Sequence, residues 1–169
     1  ISVFQAKTLG EKEVELFHAS LIKSKESALK DLVDLAFDAI SHIYNDPDMD
    51  QDEAQQTVKA IISKLSYGSD GYFFVYDEFG TNLVHPVMPE LQGENLLHLQ
   101  DENGNYLIES LLAQARSGGG FHHYLWQKPS TNEIVPKLSY ASWLSKWNWM
   151  IGTGLYIEDV SQEVTNMQS

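Results

Sequence analysis

The sequence has no cysteine in its 169 residues. That absence excludes a disulfide framework, a thiol nucleophile and a zinc–thiolate site. It suits the cytosol and the bacterial periplasm equally. Cations are scarce as well: 11 Lys and Arg stand against 24 Asp and Glu, for a net charge of −13. A chain this acidic lacks the basic face that phosphate neutralisation needs, which argues against nucleic acid as a partner. The same sign opposes docking on an anionic membrane surface. No run of about 18 apolar residues occurs, so nothing reads as a membrane span, and no signal peptide is visible. Gly118–Gly120 follow a helical pattern where a phosphate loop would precede one. What remains is 43% hydrophobic and 11% aromatic, the composition of a globular chain. Its length is that of one domain with a real core.

Residues 1–45 contain no proline and only Gly10. From Ala28 the apolar positions run Leu29, Leu32, Val33, Leu35, Ala36, Ala39, Ile40 and Ile43, the three-and-four spacing of an amphipathic helix. A weaker stripe extends back through Val14, Phe17, Leu21 and Ile22. A helix of about 40 residues is about 60 Å long, so its N-terminal half should overhang a small domain. The chain opens inside this pattern, as a piece cut from a longer protein would. Pro47 ends the helix. Asp50 or Asp52 can cap a second helix through Ala54, Val58, Ile61, Ile62 and Leu65, with Gly68 closing it. After Asp70 the texture becomes that of strands: Gly71–Asp77, Thr81–His85, Phe121–Gln127, Ile134–Leu144 and Trp147–Tyr156. Between the second and third strands, Asn103 or Asn105 starts a helix that ends at Arg116, before the three glycines. From Ile157 a short tail helix is expected. The order predicts an α+β fold with a five-stranded antiparallel sheet. Tyr72, Phe74 and Tyr76 alternate with Phe73 and Val75, so both faces of the sheet should be covered.

Few residues mark chemistry. Asp46, Asp48, Asp50 and Asp52 alternate like the start of a calcium loop, but Gln51 stands where glycine is needed and Thr57 where glutamate is needed. A capping turn explains them better, and no metal is expected. His122 and His123 are adjacent on a strand and point to opposite faces, so they do not share an ion. No nucleophile–base pair or carboxylate pair is marked, so neither catalysis nor a cofactor is expected. Lys137 differs from the other lysines, because it sits mid-strand in VPKLSYASWL. Either it snorkels from an edge strand, or it is buried and must meet an anion or hydrogen-bond partners. In the second case Tyr72, Tyr124, Tyr140 and Trp126 offer polar tips and aromatic walls, which suits a small carboxylate. His85 ends a strand just before Pro86, where a loop can fold over a pocket. In a regular strand Lys137 shares a face with Ser139 while Tyr140 points away; only a bulge would bring Lys137 and Tyr140 to one ligand.

Several blocks resemble a bacterial single-Cache sensor domain: DGYFFVYDEFGTNLVHP (Asp70–Pro86), GENLLHLQDENG (Gly93–Gly104), GGGFHHYLWQKP (Gly118–Pro129), PKLSY (Pro136–Tyr140) and WNWMIGTGLYIEDV (Trp147–Val160). They occur in the family's order and span nearly the whole chain. The resemblance implies a long helix (1–45) packed on a PAS-like five-stranded core (46–160), with a tail (161–169) leading to a membrane helix. It implies the periplasmic part of a chemoreceptor, membrane-anchored by flanking helices outside this sequence. A histidine kinase or a cyclic-dinucleotide enzyme with an amine or amino-acid ligand is the alternative. It further implies a small carboxylate as ligand (acetate, propionate, pyruvate or lactate), held by Lys137, Tyr72, Phe74, His85, Tyr124, Trp126, Ser139 and Tyr140, and a homodimer formed through the long helix.

Overall fold

A computed structural model describes residues 3–157, with side chains from residue 10 onward. Helix α1 runs Val3–Tyr44, and α2 runs Gln51–Lys64. The turn between them is built by aspartates. Asp46 accepts the Asp48 backbone N–H at 2.9 Å, and Asp50 caps α2 by accepting from Glu53 N–H at 3.3 Å. The acidic loop thus satisfies helix-end donors. Among the described residues no group of acidic or histidine side chains is arranged to hold a metal ion.

The strands are β1 (Ser66–Tyr67), β2 (Gly71–Asp77), β3 (Asn82–Val84), β4 (Gly120–Gln127), β5 (Ile134–Leu144) and β6 (Trp149–Tyr156). They form one antiparallel sheet in the order β1-β2-β6-β5-β4, with β3 also on β2. The sheet therefore has six strands where five are expected. The extra strand is two residues long and pairs Ser66 with Tyr72 and Tyr67 with Gly71. Such a strand has no periodicity of its own; its pairing with β2 creates it. Gly68, at φ +55°, consequently turns β1 into β2, while α2 has already ended at Lys64. Helix α3 spans Leu107–Arg116, and Gly118 and Gly119, both at positive φ, stop it. Its cap position is Tyr106, which makes no side-chain cap. Of the two expected starting residues, Asn103 donates its backbone N–H to Asp101 at 3.0 Å, and Asn105 instead bonds His122 Nε2 at 3.0 Å and donates to the His123 carbonyl at 3.0 Å. Past Ile157 the expected tail lies outside the described residues.

Both faces of the sheet are covered. On one side Leu29, Val33, Ala36 and Ile40 of α1, with Val58 and Ile62 of α2, meet Phe73, Val75, Leu138 and Ile151. The α1 residues recur at steps of three and four, so the buried stripe is the one the sequence displays. On the other side Leu107, Ile108, Leu111 and Leu112 of α3 meet Tyr72, Phe74, Tyr76, Tyr124 and Met150. None of the described helices is long and apolar enough to cross a membrane.

Candidate functional site

The period of a strand decides which side chains meet beneath α3. Tyr72, Phe74 and Tyr76 of β2, Tyr124 and Trp126 of β4, and Lys137 of β5 point to that face and line one cavity. His85, just after β3, reaches it from the edge, and Leu107, Ile108 and Leu111 of α3 roof it. Space inside is tight. The centre of a water-sized sphere has about 10 Å³ to move in, room for about one water molecule.

Lys137 is the organising residue. It is 1% exposed, which excludes a snorkelling edge lysine. Its Nζ donates to the Tyr72 hydroxyl at 3.1 Å. The ammonium lies 4.4 Å from the Tyr72 ring centre and 5.4 Å from those of Phe74 and Tyr156. These faces stabilise a cation, but less well than an anion would. Burial pulls the ammonium pKa down to about 7, with no carboxylate opposing the shift. Glycine makes the depth possible. A Cβ at Gly154 would stand 2.9 Å from Lys137 Cε and would strike Ser139 Oγ, and one at Gly152 would stand 2.6 Å from the Phe74 ring. The two glycines in β6 thus let side chains of the neighbouring strands lie across the sheet.

His85 is neutral. Burial, then the charge of Lys137, brings its pKa down to about 3. Nδ1 accepts the Met88 N–H at 3.0 Å, which leaves the ring proton on Nε2 as a donor. The Tyr72 and Tyr124 phenols are both raised well above their ordinary value, burial being the largest cause. They stay protonated and serve as neutral hydrogen-bonding groups. The cavity therefore joins one cation, neutral N–H and O–H groups, and an aromatic and aliphatic wall. That combination is chemically suited to an anion with a short apolar body.

Of the eight residues singled out in the sequence, six line the cavity: Lys137, Tyr72, Phe74, His85, Tyr124 and Trp126. Ser139 sits one layer behind, where its hydroxyl meets the Tyr124 hydroxyl at 2.8 Å. Tyr140 is a correction. The β5–β6 register runs without a bulge from Lys137 to Leu144, so Tyr140 falls on the opposite face. There it packs in the α1-side core, its ring 4.9 Å from that of Phe121. Sequence reasoning did not single out Tyr76 or the α3 trio for the site. Tyr76 shares the parity of Tyr72 and Phe74, a signal that was available; nothing local ties α3 to this cavity.

The cavity also touches the far side of the sheet. The Tyr72 carbonyl accepts from Thr153 Oγ1 at 2.6 Å, and that oxygen lies 2.7 Å from the Tyr67 hydroxyl. Tyr67 in turn borders a groove beside Leu32, Leu35 and Ala36 of α1.

Comparison with known proteins identifies the family. The chain is 45% identical, over 93% of its length, to the sensor histidine kinase MctS of Rhizobium johnstonii. It is 28% identical, over 96% of its length, to the methyl-accepting chemotaxis protein McpP of Pseudomonas putida. It spans about a third of each of these relatives, 34% and 31% respectively. Among solved structures, a methyl-accepting chemotaxis protein from Vibrio parahaemolyticus superposes with a TM-score of 0.83 at 38% identity, covering 88% of this chain and 99% of that one. A Cache chemosensory domain described for its carboxylic acid recognition superposes with a TM-score of 0.76 at 29% identity, covering 83% and 98%. Residues 21–169 match the family described as single Cache domain 2, and the chain belongs to that family.

Proposed function

We propose that this domain is the extracytoplasmic, periplasmic sensor of a membrane-anchored receptor, and that it binds a small monocarboxylate. The observation that carries the reading is Lys137: a buried cation at a cavity wall, met by a phenol and aromatic faces. In this reading a carboxylate oxygen takes the ammonium, Tyr72 and His85 Nε2 orient the head, and the α3 trio covers the short carbon body. A single cation favours one carboxylate over two. The lack of an acidic lining residue disfavours an amino acid's ammonium. The carboxylic acid recognised by the 29% identical Cache neighbour supports the same class.

Signalling then follows from differential binding. The acid stabilises the cavity in the conformation that fits it best, and the receptor shifts toward that state. The Tyr72–Thr153–Tyr67 contacts offer a mechanical link from the cavity to α1. Pairing of two copies along α1 would join the two signals. A chemoreceptor is the first reading for the whole protein. A histidine kinase is the second, favoured specifically by the 45% identity to MctS.

Isothermal titration of the purified domain with acetate, propionate, pyruvate and lactate tests the ligand. Binding of at least one is expected, and Lys137→Ala should abolish it while the far-UV spectrum stays folded. Binding that survives Lys137→Ala, or binding only of amines or amino acids, would contradict the assignment.

A further inference from the structure

With room for about one water molecule, the cavity admits even acetate only if a lining side chain moves. Most of the lining cannot move cheaply. Phe74, Tyr76, Ile108 and Leu111 are each 3% exposed or less and packed against the core. Trp126 differs in two respects. It is only partly buried, and it has free space behind it. An outer groove of about 220 Å³ borders it, its surface mainly apolar through Met88, Leu99, Leu125 and Ile134, with Asp101 and Glu102 at its polar side. Among the described residues only Trp126 and Leu107 line both this groove and the cavity. Leu107, at 2% exposed, is the fixed side of that partition, and Trp126 is the side with somewhere to go. Tyr72 similarly borders a second outer groove, but there Leu65, Pro86, Val87 and Pro129 share the wall with serines, glycines and Asp70, so it is the more polar of the two. Moreover, Tyr72 is held by Lys137, Tyr156 and Trp126 together, whereas Trp126 has only its hydrogen bond to the Tyr72 hydroxyl to release when it swings.

We propose that Trp126 is the gate of the cavity: it swings into the outer groove to admit the acid, and when closed it limits the length of the chain that fits. The proposal rests on the carboxylate reading above. An acid anchored at Lys137 can extend only toward the partition, so carbons beyond a short body collide with Trp126. Removing the indole joins cavity and groove into one mainly apolar channel. The tail of a longer acid then lies along Leu99 and Leu125. Each methylene buried there should tighten binding about fourfold.

The test is a titration series of straight-chain acids, acetate to hexanoate, on wild type, Trp126→Ala and Trp126→Ala/Leu99→Trp. Wild type should favour the shortest acids, with hexanoate at least about tenfold weaker. In Trp126→Ala the order should reverse, with hexanoate gaining about a hundredfold or more relative to acetate. Leu99→Trp, which refills the groove, should cancel that gain. If Trp126→Ala does not fold, Trp126→Leu must show the same change in order at smaller size. An unchanged length preference in the folded variant overturns the gate and leaves the carboxylate reading standing. A gain that persists with the groove refilled also overturns it, since the tail would lie elsewhere. If wild type binds no acid at all, the carboxylate reading falls and the gate falls with it.

Discussion

Lys137 gives up the hydration of its ammonium and recovers part of it from one phenol and three aromatic faces. Its pKa of about 7 expresses that shortfall. A carboxylate arriving at Nζ favours the charged form and so raises the pKa. Binding below about pH 7 meets a lysine already protonated, whereas binding above it must take up a proton. Acid affinity should therefore be flat below about pH 7 and weaken with rising pH above it, with a limiting slope of about tenfold per pH unit. Titrations at pH 6, 7, 8 and 9 check this, and calorimetry in buffers of different ionisation heat should show proton uptake at pH 8. The apo domain carries the opposite dependence. The unfolded lysine holds its proton to about 10.4 while the folded one loses it near 7, so this group adds stability as pH rises between those values. His85 has no part in the alkaline limb, because it is already neutral down to about pH 3.

At the scale of elements, β6 decides how the site is built. Gly152 and Gly154 face the cavity side, where residues of β2 and β5 need the room above the sheet. Gly154→Ala should force Lys137 and Ser139 aside. It should destabilise the domain by about 1–3 kcal/mol, the usual range for overpacking, and weaken acid binding. Urea unfolding read by tryptophan fluorescence measures the first effect and titration the second. Local pattern made much of this legible in the sequence. The stripe Leu29–Val33–Ala36–Ile40 announced the buried face of α1, and the alternation in β2 announced a sheet covered on both sides. Strand parity likewise separates Lys137 and Ser139 from Tyr140, so the loss of Tyr140 from the site follows from the absence of a bulge. Other features were not legible, because they exist only in contacts distant in sequence. Strand β1 forms by pairing across Gly68, and Asn105 leaves its capping role for His122 and His123. The α3 trio meets Lys137 only once β4 and β5 have folded beneath it.

At the scale of the whole molecule, the sheet is a partition between two cores. One holds α1 and α2, the other holds the cavity under α3. Thr153 and Tyr67 are polar groups that connect the two through the sheet. A ligand on the α3 side can thereby reach α1, the element that extends beyond the core. Leu16 and Leu35 leave apolar surface on α1 at 70% and 65% exposure, which is where a second copy would sit in the proposed dimer. Affinity, pH dependence and chain-length selection all turn on where the acid's head lies. The most direct test is a crystal structure of the domain grown with acetate or propionate. A carboxylate oxygen is expected about 2.7–2.9 Å from Lys137 Nζ, beneath Leu107, Ile108 and Leu111. An acid bound anywhere else, with Lys137 still held by Tyr72 alone, would contradict that placement.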